Sequence, residues 1–120
     1  MYKINTLEDH HRAIHFMEKN LFEKLCVRDI AQYCMLSASG LEKIFQKHEK
    51  KGVKRYFLDM KLDYAAKMLK EGYTVNYLAR LLNFSSTSHL SIAFKKKYGM
   101  SPLKYKYPLV EKSEELSAGV

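Results

Sequence analysis

Three features of the 120-residue sequence predict an all-α fold. Its two prolines stand at 102 and 108, so the first hundred residues are free of the strongest helix breaker. Its β-branched residues never fall into the apolar–polar alternation of a strand. Its apolar residues recur every three or four positions in seven successive stretches, most of them opened by a capping residue.

Asn5 or Thr6 is the expected cap of the first helix, with Glu8 and Asp9 in a first turn that favours negative charge and Ile14, Met17 and Leu21 at helical spacing. A short helix is expected over about 27–34, with Ile30, Ala31 and Cys34 inward. Ser37 caps a third, in which Leu41, Ile44, Phe45 and His48 share a face. Gly52 is the expected break after it, and a long helix follows to about Lys70. That helix carries two apolar stripes, Phe57, Met60, Tyr64 and Met68 on one side and Leu58, Leu62, Ala65 and Leu69 on the other. A helix apolar on two sides is normally packed on both, so it reads as a linker between two lobes. Gly72 ends it, and Thr74 caps a fifth helix with Val75, Leu78 and Leu82. Ser85 or Ser86 caps a sixth, with Leu90, Ala93, Phe94 and Tyr98 inward. Ser101-Pro102, a cap followed by proline at the first helical position, starts a seventh with Leu103. The tail "EKSEELSAGV" has no usable apolar face and is expected to fray.

Composition narrows the function classes. The 47% hydrophobic content is that of a globular chain, and no apolar run is long enough to cross a membrane. The polar N-terminus lacks the apolar core of a signal peptide, and Cys26 and Cys34 fit reduced, partly buried thiols, which together point to the cytoplasm. Of the net charge of +8, residues 37–58 carry +4 and residues 73–107 carry +6 with no acidic side chain, while 1–36 and 59–72 are neutral and 108–120 carry −2. A merely solvated surface would mix both signs. Two separate basic blocks point to two contacts with a polyanion.

The same pattern occurs twice. "VRDIAQYCMLS" (27–37) matches "VNYLARLLNFS" (75–85), with Ile30 on Leu78, Ala31 on Ala79, Cys34 on Leu82, Leu36 on Phe84 and Ser37 on Ser85. With one residue inserted in the second copy, Leu41 falls on Leu90 and Phe45 on Phe94. Each copy is a helix, a tight turn and a second helix, with an alanine in the first that permits a close, steep crossing. Asn83 suits the left-handed turn position, and Met35, its counterpart, suits it poorly. In a helix-turn-helix the outward residues near the start of the second helix face the major groove of double-stranded DNA. In the first copy those candidates are Ser37, Ala38, Ser39, Gly40, Glu42, Lys43, Gln46 and Lys47. In the second they are Ser86, Thr87, Ser88, His89, Ser91 and Ile92, with Lys95 and Lys96 placed for phosphates. Helix starts near Ser37 and Ser85 also attract phosphate through free backbone amides.

Residues 7–106 resemble the DNA-binding domain of the AraC/XylS family of bacterial transcription regulators. The matching pieces are "RDIAQYCMLSASGLEKIF", "YFLDMKLDYAAKMLKEG" and, most specifically, "VNYLARLLNFSSTSHLSIAFKKKYGMSPLKYK". In length the chain is similar to the short stand-alone members. The resemblance implies seven helices in two homeodomain-like helix-turn-helix lobes joined by a long linker helix, binding DNA as a monomer and often activating transcription. It departs from the family at Cys26, where a serine or threonine cap is expected, and at "HEKKG", which replaces a shorter route to glycine. It departs again at Gly40, where the family has a bulky residue, and at Lys43 and Ile92, where it often has arginine. Lys43 remains suited to guanine, Glu42 to cytosine or to repelling phosphate, and Ala38 or Ile92 to thymine methyls. That the second copy docks without reading bases is an equally open alternative.

Several rival readings carry less weight. Ser88 and His89 are neighbours on a helix and point apart, with no acidic partner in 73–107, so they do not make a catalytic pair. His11 and His15, one turn apart and preceded by Glu8, have a zinc-compatible spacing that more often belongs to an exposed face. His48 is expected at a lobe edge. Tyr105 and Tyr107, beside Lys104 and Lys106, can reach phosphate but more simply pack. The two thiols can in principle sense redox state, and burial is the default.

The sequence is therefore expected to be a DNA-binding transcription regulator and not an enzyme, without cofactor, metal or small-molecule effector. Its expected parts are an N-terminal lobe over 1–52, a linker helix over 53–71, a C-terminal lobe over 72–107 and a flexible tail over 108–120. A linker of roughly 18 residues spans on the order of 27 Å, comparable to the roughly 34 Å between successive major-groove faces, so some bending of the DNA is expected. Two direct copies predict a non-palindromic site, and activation through contact with RNA polymerase is the expected output. The competing expectation is a protein-interaction module, such as an anti-activator, that keeps the tandem fold.

Overall fold

The computed structural model describes residues 6–108, so the expected cap at Asn5 and the frayed tail lie outside the described residues. Among them are seven helices and no strand: α1 (Thr6–Lys19), α2 (Val27–Tyr33), α3 (Ala38–Glu49), α4 (Val53–Lys70), α5 (Val75–Leu81), α6 (Thr87–Tyr98) and α7 (Pro102–Lys106). The chain divides into two compact units, Met1–Lys61 and Leu62–Val120, and the division falls inside α4.

In the first unit α1, α2 and α3 pack on one another around Ala13, Met17, Ile30, Ala31, Cys34, Leu41, Ile44 and Phe45, joined by Val53 and Phe57 from the start of α4. In the second, α5 packs on α6 and α6 on α7. Its buried side chains are Leu62, Ala65, Ala66, Leu69, Leu78, Ala79, Leu82, Leu90 and Phe94. The two stripes expected on α4 are unequal. Phe57, Leu62, Ala65 and Leu69 are buried, while Leu58, Met60, Tyr64 and Met68 are half-buried. Ala66, in neither stripe, is buried as well.

The repeat extends to individual hydrogen bonds. α2 closes on Cys34 and α5 on Leu82. The next residue takes the left-handed conformation in both, Met35 at φ 59° and Asn83 at φ 64°. The amide after it then bonds back into the helix, Leu36 N–H to Ala31 at 2.9 Å and Phe84 N–H to Ala79 at 2.8 Å. This is the closure that satisfies the last carbonyls of a helix and turns the chain. Met35 is 84% exposed, so its side chain contributes almost no burial to offset its backbone strain. Met35→Gly is expected to raise stability by about 0.5–1 kcal/mol, the relief of strain less glycine's extra freedom when unfolded. An urea titration of the two proteins checks this, and an unchanged or lower midpoint would contradict it.

Each second helix opens on a serine hydroxyl. Ser37 Oγ accepts from Gly40 N–H at 3.0 Å and Ser86 Oγ from His89 N–H at 3.0 Å. The cap of α6 is thus Ser86, and Ser85 is the extra residue of the second turn. From there the equivalence continues further than the sequence comparison reached. α3 ends at left-handed Lys50 and α6 at left-handed Gly99. Val53 and Pro102, each three residues on, are both buried. Tyr56 then meets Phe45 edge-on at 5.3 Å and 75°, and Tyr105 meets Phe94 at 5.3 Å and 72°.

That register corrects one expectation. The left-handed residue ending α3 is Lys50, and Gly52 occupies the place where Ser101 caps α7. Ser101 Oγ accepts from Lys104 N–H at 3.3 Å. Gly52 has no side chain to do so, and Glu42 of α3 reaches across, its Oε1 accepting from Val53 N–H at 2.9 Å. At α2, Cys26 takes the cap position through Asp29, whose carboxylate accepts from the Cys26 N–H at 3.0 Å and the thiol at 3.3 Å. Those two bonds hold the Asp29 carboxyl below its usual range.

α1 is fastened to the end of α3 by an imidazole cluster. His10 is buried, its Nε2 lies 2.7 Å from Glu49 Oε2, and its ring centroid is 5.0 Å from that of His48. His48, expected at a lobe edge, is half-buried and bonds Thr6 Oγ1 through Nε2 at 3.2 Å. Burial chiefly, then His10, Lys47 and His11, lower the affinity of His48 for a proton, against the pull of Glu49. The unfolded chain therefore takes up this proton first. Stability is expected to hold above about pH 6.5 and to decline as the pH falls below it. Melting curves between pH 7.5 and 5 should show this drop and show a smaller one in His48→Gln.

Candidate nucleic-acid interface

On α3 the buried Leu41, Ile44 and Phe45 leave the opposite face to Ser39, Lys43 and Gln46, flanked by Lys47. All four are exposed, and no described residue pairs with Lys43 or Lys47. Lys50 prolongs that line by one turn; it is a residue that sequence reasoning left out, although its i, i+3, i+4 spacing could have shown it. Ala38 is exposed, and Gly40 is half-buried. A Cβ at Gly40 would stand 3.1 Å from Ser37 Oγ, so any other residue there would press on the capping hydroxyl. Glu42 is the exception among the candidates. Its carboxylate is turned to Val53 and away from the lysine line.

On α6 the buried Leu90 and Phe94 leave Ser88, Ile92, Lys95 and Lys96 on the solvent side, with Ser91 half-buried beside them. Ile92 is 67% exposed. That is an apolar side chain placed where no core explains it. Thr87 Oγ1 donates to Asn76 Oδ1 of α5 at 3.3 Å, bracing the first turn of α6. His89 is exposed but not free: Nδ1 lies 3.0 Å from Ser85 Oγ and the ring meets Phe84 edge-on at 5.2 Å. The imidazole therefore belongs to the turn, and its hydroxyl partner is Ser85, not Ser88.

The three lysines ending α6 have different duties. No described residue pairs with Lys95 or Lys96. Lys97 Nζ lies 3.0 Å from Asp63 Oδ1, and the Tyr98 hydroxyl donates to the same carboxylate. In α7, Tyr105 packs on Phe94 under Lys70, and Lys106 Nζ donates to the carbonyls of Tyr73 at 2.8 Å and Gly72 at 3.3 Å. Packing thus accounts for Tyr105 and Lys106.

His11 and His15 are exposed on α1, and among the described residues no group of three His, Cys, Asp or Glu side chains could hold a metal ion. Burial pushes the Cys34 thiol up, while Cys26 is exposed rather than partly buried. No described helix is long and apolar enough to cross a membrane.

A family model for a helix-turn-helix domain matches residues 30–107. The uncharacterized HTH-type transcriptional regulator YidL of Escherichia coli K12 is 35% identical over 92 residues, 76% of this chain and 31% of that protein. The chain thus spans about a third of the length of that curated relative, and less of the HTH-type transcriptional regulator ArgR of Pseudomonas aeruginosa, of which it covers 28%. Among solved structures, an AraC-type DNA-binding-domain regulator from Chromobacterium violaceum superposes with a TM-score of 0.80 at 24% identity, over 84% of this chain and 91% of that one. The DNA-binding domain of the transcriptional factor AdpA, solved with a target DNA, superposes at 0.77 and 18% identity, over 85% and 93%.

Proposed function

The chain belongs to the AraC/XylS family of helix-turn-helix regulators, and from that premise we propose that it binds double-stranded DNA and regulates transcription. One observation carries the reading. Two helix-turn-helices that share the same turn closure and the same serine cap each turn the outer face of their second helix to solvent, with lysines that no described residue neutralises. Those lysines suit phosphate, and the exposure of Lys43, Ser39, Ser88 and Ile92 on the same faces supports a reading in which they touch base edges.

In this reading α3 and α6 enter successive major-groove segments of a non-palindromic site. The protein acts as a monomer in the cytoplasm, without cofactor or effector, and activates by touching RNA polymerase. Lysine contacts with phosphate supply much of the affinity, and base readout supplies a smaller share.

Selection from random duplex DNA tests it. The expected outcome is two unlike elements about 10 base pairs apart, with affinity that falls steeply as salt rises. No enrichment, together with binding to nothing but protein, would replace this reading with the interaction module.

A further inference from the structure

The interaction that most separates the two copies is the one between Glu42 and Val53. Building on the DNA-binding reading, we propose that Glu42 is a positioning residue that ties α3 to the start of α4, and that the base pair it would otherwise face goes unread.

Every helix start leaves backbone N–H groups unpaired and carries partial positive charge. In the second copy the cap residue Ser101 accepts from Lys104 N–H at α7, and Pro102 after it has no N–H to satisfy. In the first copy the cap position is Gly52, and the Val53 N–H, which has no counterpart at Pro102, is met by the Glu42 carboxylate 11 residues earlier at 2.9 Å. The two solutions occupy one space. A Cβ on Gly52 would come within 3.3 Å of Glu42 Oε1, so a capping side chain and the Glu42 carboxylate crowd each other. Glutamate suits the role because its chain is long enough to leave α3 and its charge complements the helix start.

Two consequences follow for DNA. Val53 is fully buried in the core that also holds Leu41 and Phe45, so a bond from α3 to its amide limits rotation of α3 about its own axis. That rotation decides where Ser39, Lys43 and Gln46 point. The bond also takes a negative charge off the lysine line, where it would repel phosphate. Ser91, the residue of α6 equivalent to Glu42, has no side-chain hydrogen bond to any described residue, and Pro102, at the place of Val53, offers no N–H. Its hydroxyl stays available for a contact that α3 lacks.

Three variants test the proposal by duplex selection and by exchange of the Val53 amide hydrogen. Glu42→Gln keeps an acceptor oxygen and is expected to leave every base preference unchanged. Glu42→Ala is expected to expose the Val53 amide to faster exchange and to weaken binding to the selected site on the order of tenfold. Glu42→Ala/Gly52→Ser caps α4 through Arg55 N–H, as Ser101 caps α7 through Lys104 N–H, and without a tie to α3 it is expected to leave Val53 exchange fast and binding weak. A base preference that shifts in Glu42→Gln, or a serine at 52 that by itself restores binding to the selected site, would overturn the proposal. If the unaltered protein binds no duplex, the functional reading fails. The exchange measurement still decides the tie, because Val53 protection equal in Glu42→Ala and the unaltered protein would refute it.

Discussion

Replacing Lys95 and Lys96 by alanine is expected to flatten the salt dependence of duplex binding by about two units of slope, because each lysine–phosphate contact contributes about 0.9. Between 50 and 200 mM salt the double variant should then lose roughly tenfold less affinity than the unaltered protein. Its affinity at low salt should be correspondingly weaker and its helix content unchanged, since neither side chain is paired with a described residue. Reversing the charge at Lys43, Lys95 and Lys96 together is expected to abolish binding near physiological salt. Lys97 supplies the internal control. It stands in the same run of three, but it pairs with Asp63 at 3.0 Å, so Lys97→Ala should lower stability slightly and leave the slope alone. Titrations of labelled duplex at several salt concentrations read all of this. Equal slopes for the unaltered protein and Lys95→Ala/Lys96→Ala would show that the outer face of α6 does not meet phosphate.

The helices were legible because their signals are local. Ser37, Thr74 and Ser101 each cap the helix that begins just after them, and Pro102 stands at the first helical position. The repeat was legible because Ala31 and Ala79, Leu41 and Leu90, and Phe45 and Phe94 hold the same places in two cores. Glycine at the end of α3 misled, because a left-handed turn usually selects Gly and here it is Lys50 that adopts it. What stayed hidden depends on side chains far apart in the chain. Glu42 is 11 residues from Val53, and His10 is 39 from Glu49; neither spacing has a period that a sequence scan detects. The division of labour among Lys95, Lys96 and Lys97 has the same origin, since only the fold brings Asp63 to one of the three. His89 illustrates the converse. Its position on α6 was readable, but Ser85, which holds its ring, aligns in sequence with the cap Ser37, and only the fold shows that Ser86 is the cap and Ser85 the inserted residue.

The largest effect on stability is expected at Phe94. Its ring is fully buried, 4.6 Å from Tyr98 and 5.3 Å from Tyr105, so it joins α6 to α7. Cutting it to alanine removes that burial and leaves a cavity, at a cost of about 3–5 kcal/mol. A unit of about sixty residues has little more than that to lose. Phe94→Ala should therefore leave α5, α6 and α7 largely unfolded at 25 °C, seen as lost helical signal and as fast amide exchange across residues 75–106. Phe94→Leu, which keeps most of the volume, should remain folded with a lower midpoint. Both DNA-binding loss and unfolding are expected in Phe94→Ala, whereas Lys95→Ala/Lys96→Ala should lose affinity with its fold intact. The two variants thus separate the inner face of α6, which holds the unit together, from the outer face, which meets the polyanion. If Phe94→Ala melted cooperatively at the temperature of the unaltered protein, the ring would not be the keystone that its burial indicates, and the assignment of faces on α6 would have to be reversed.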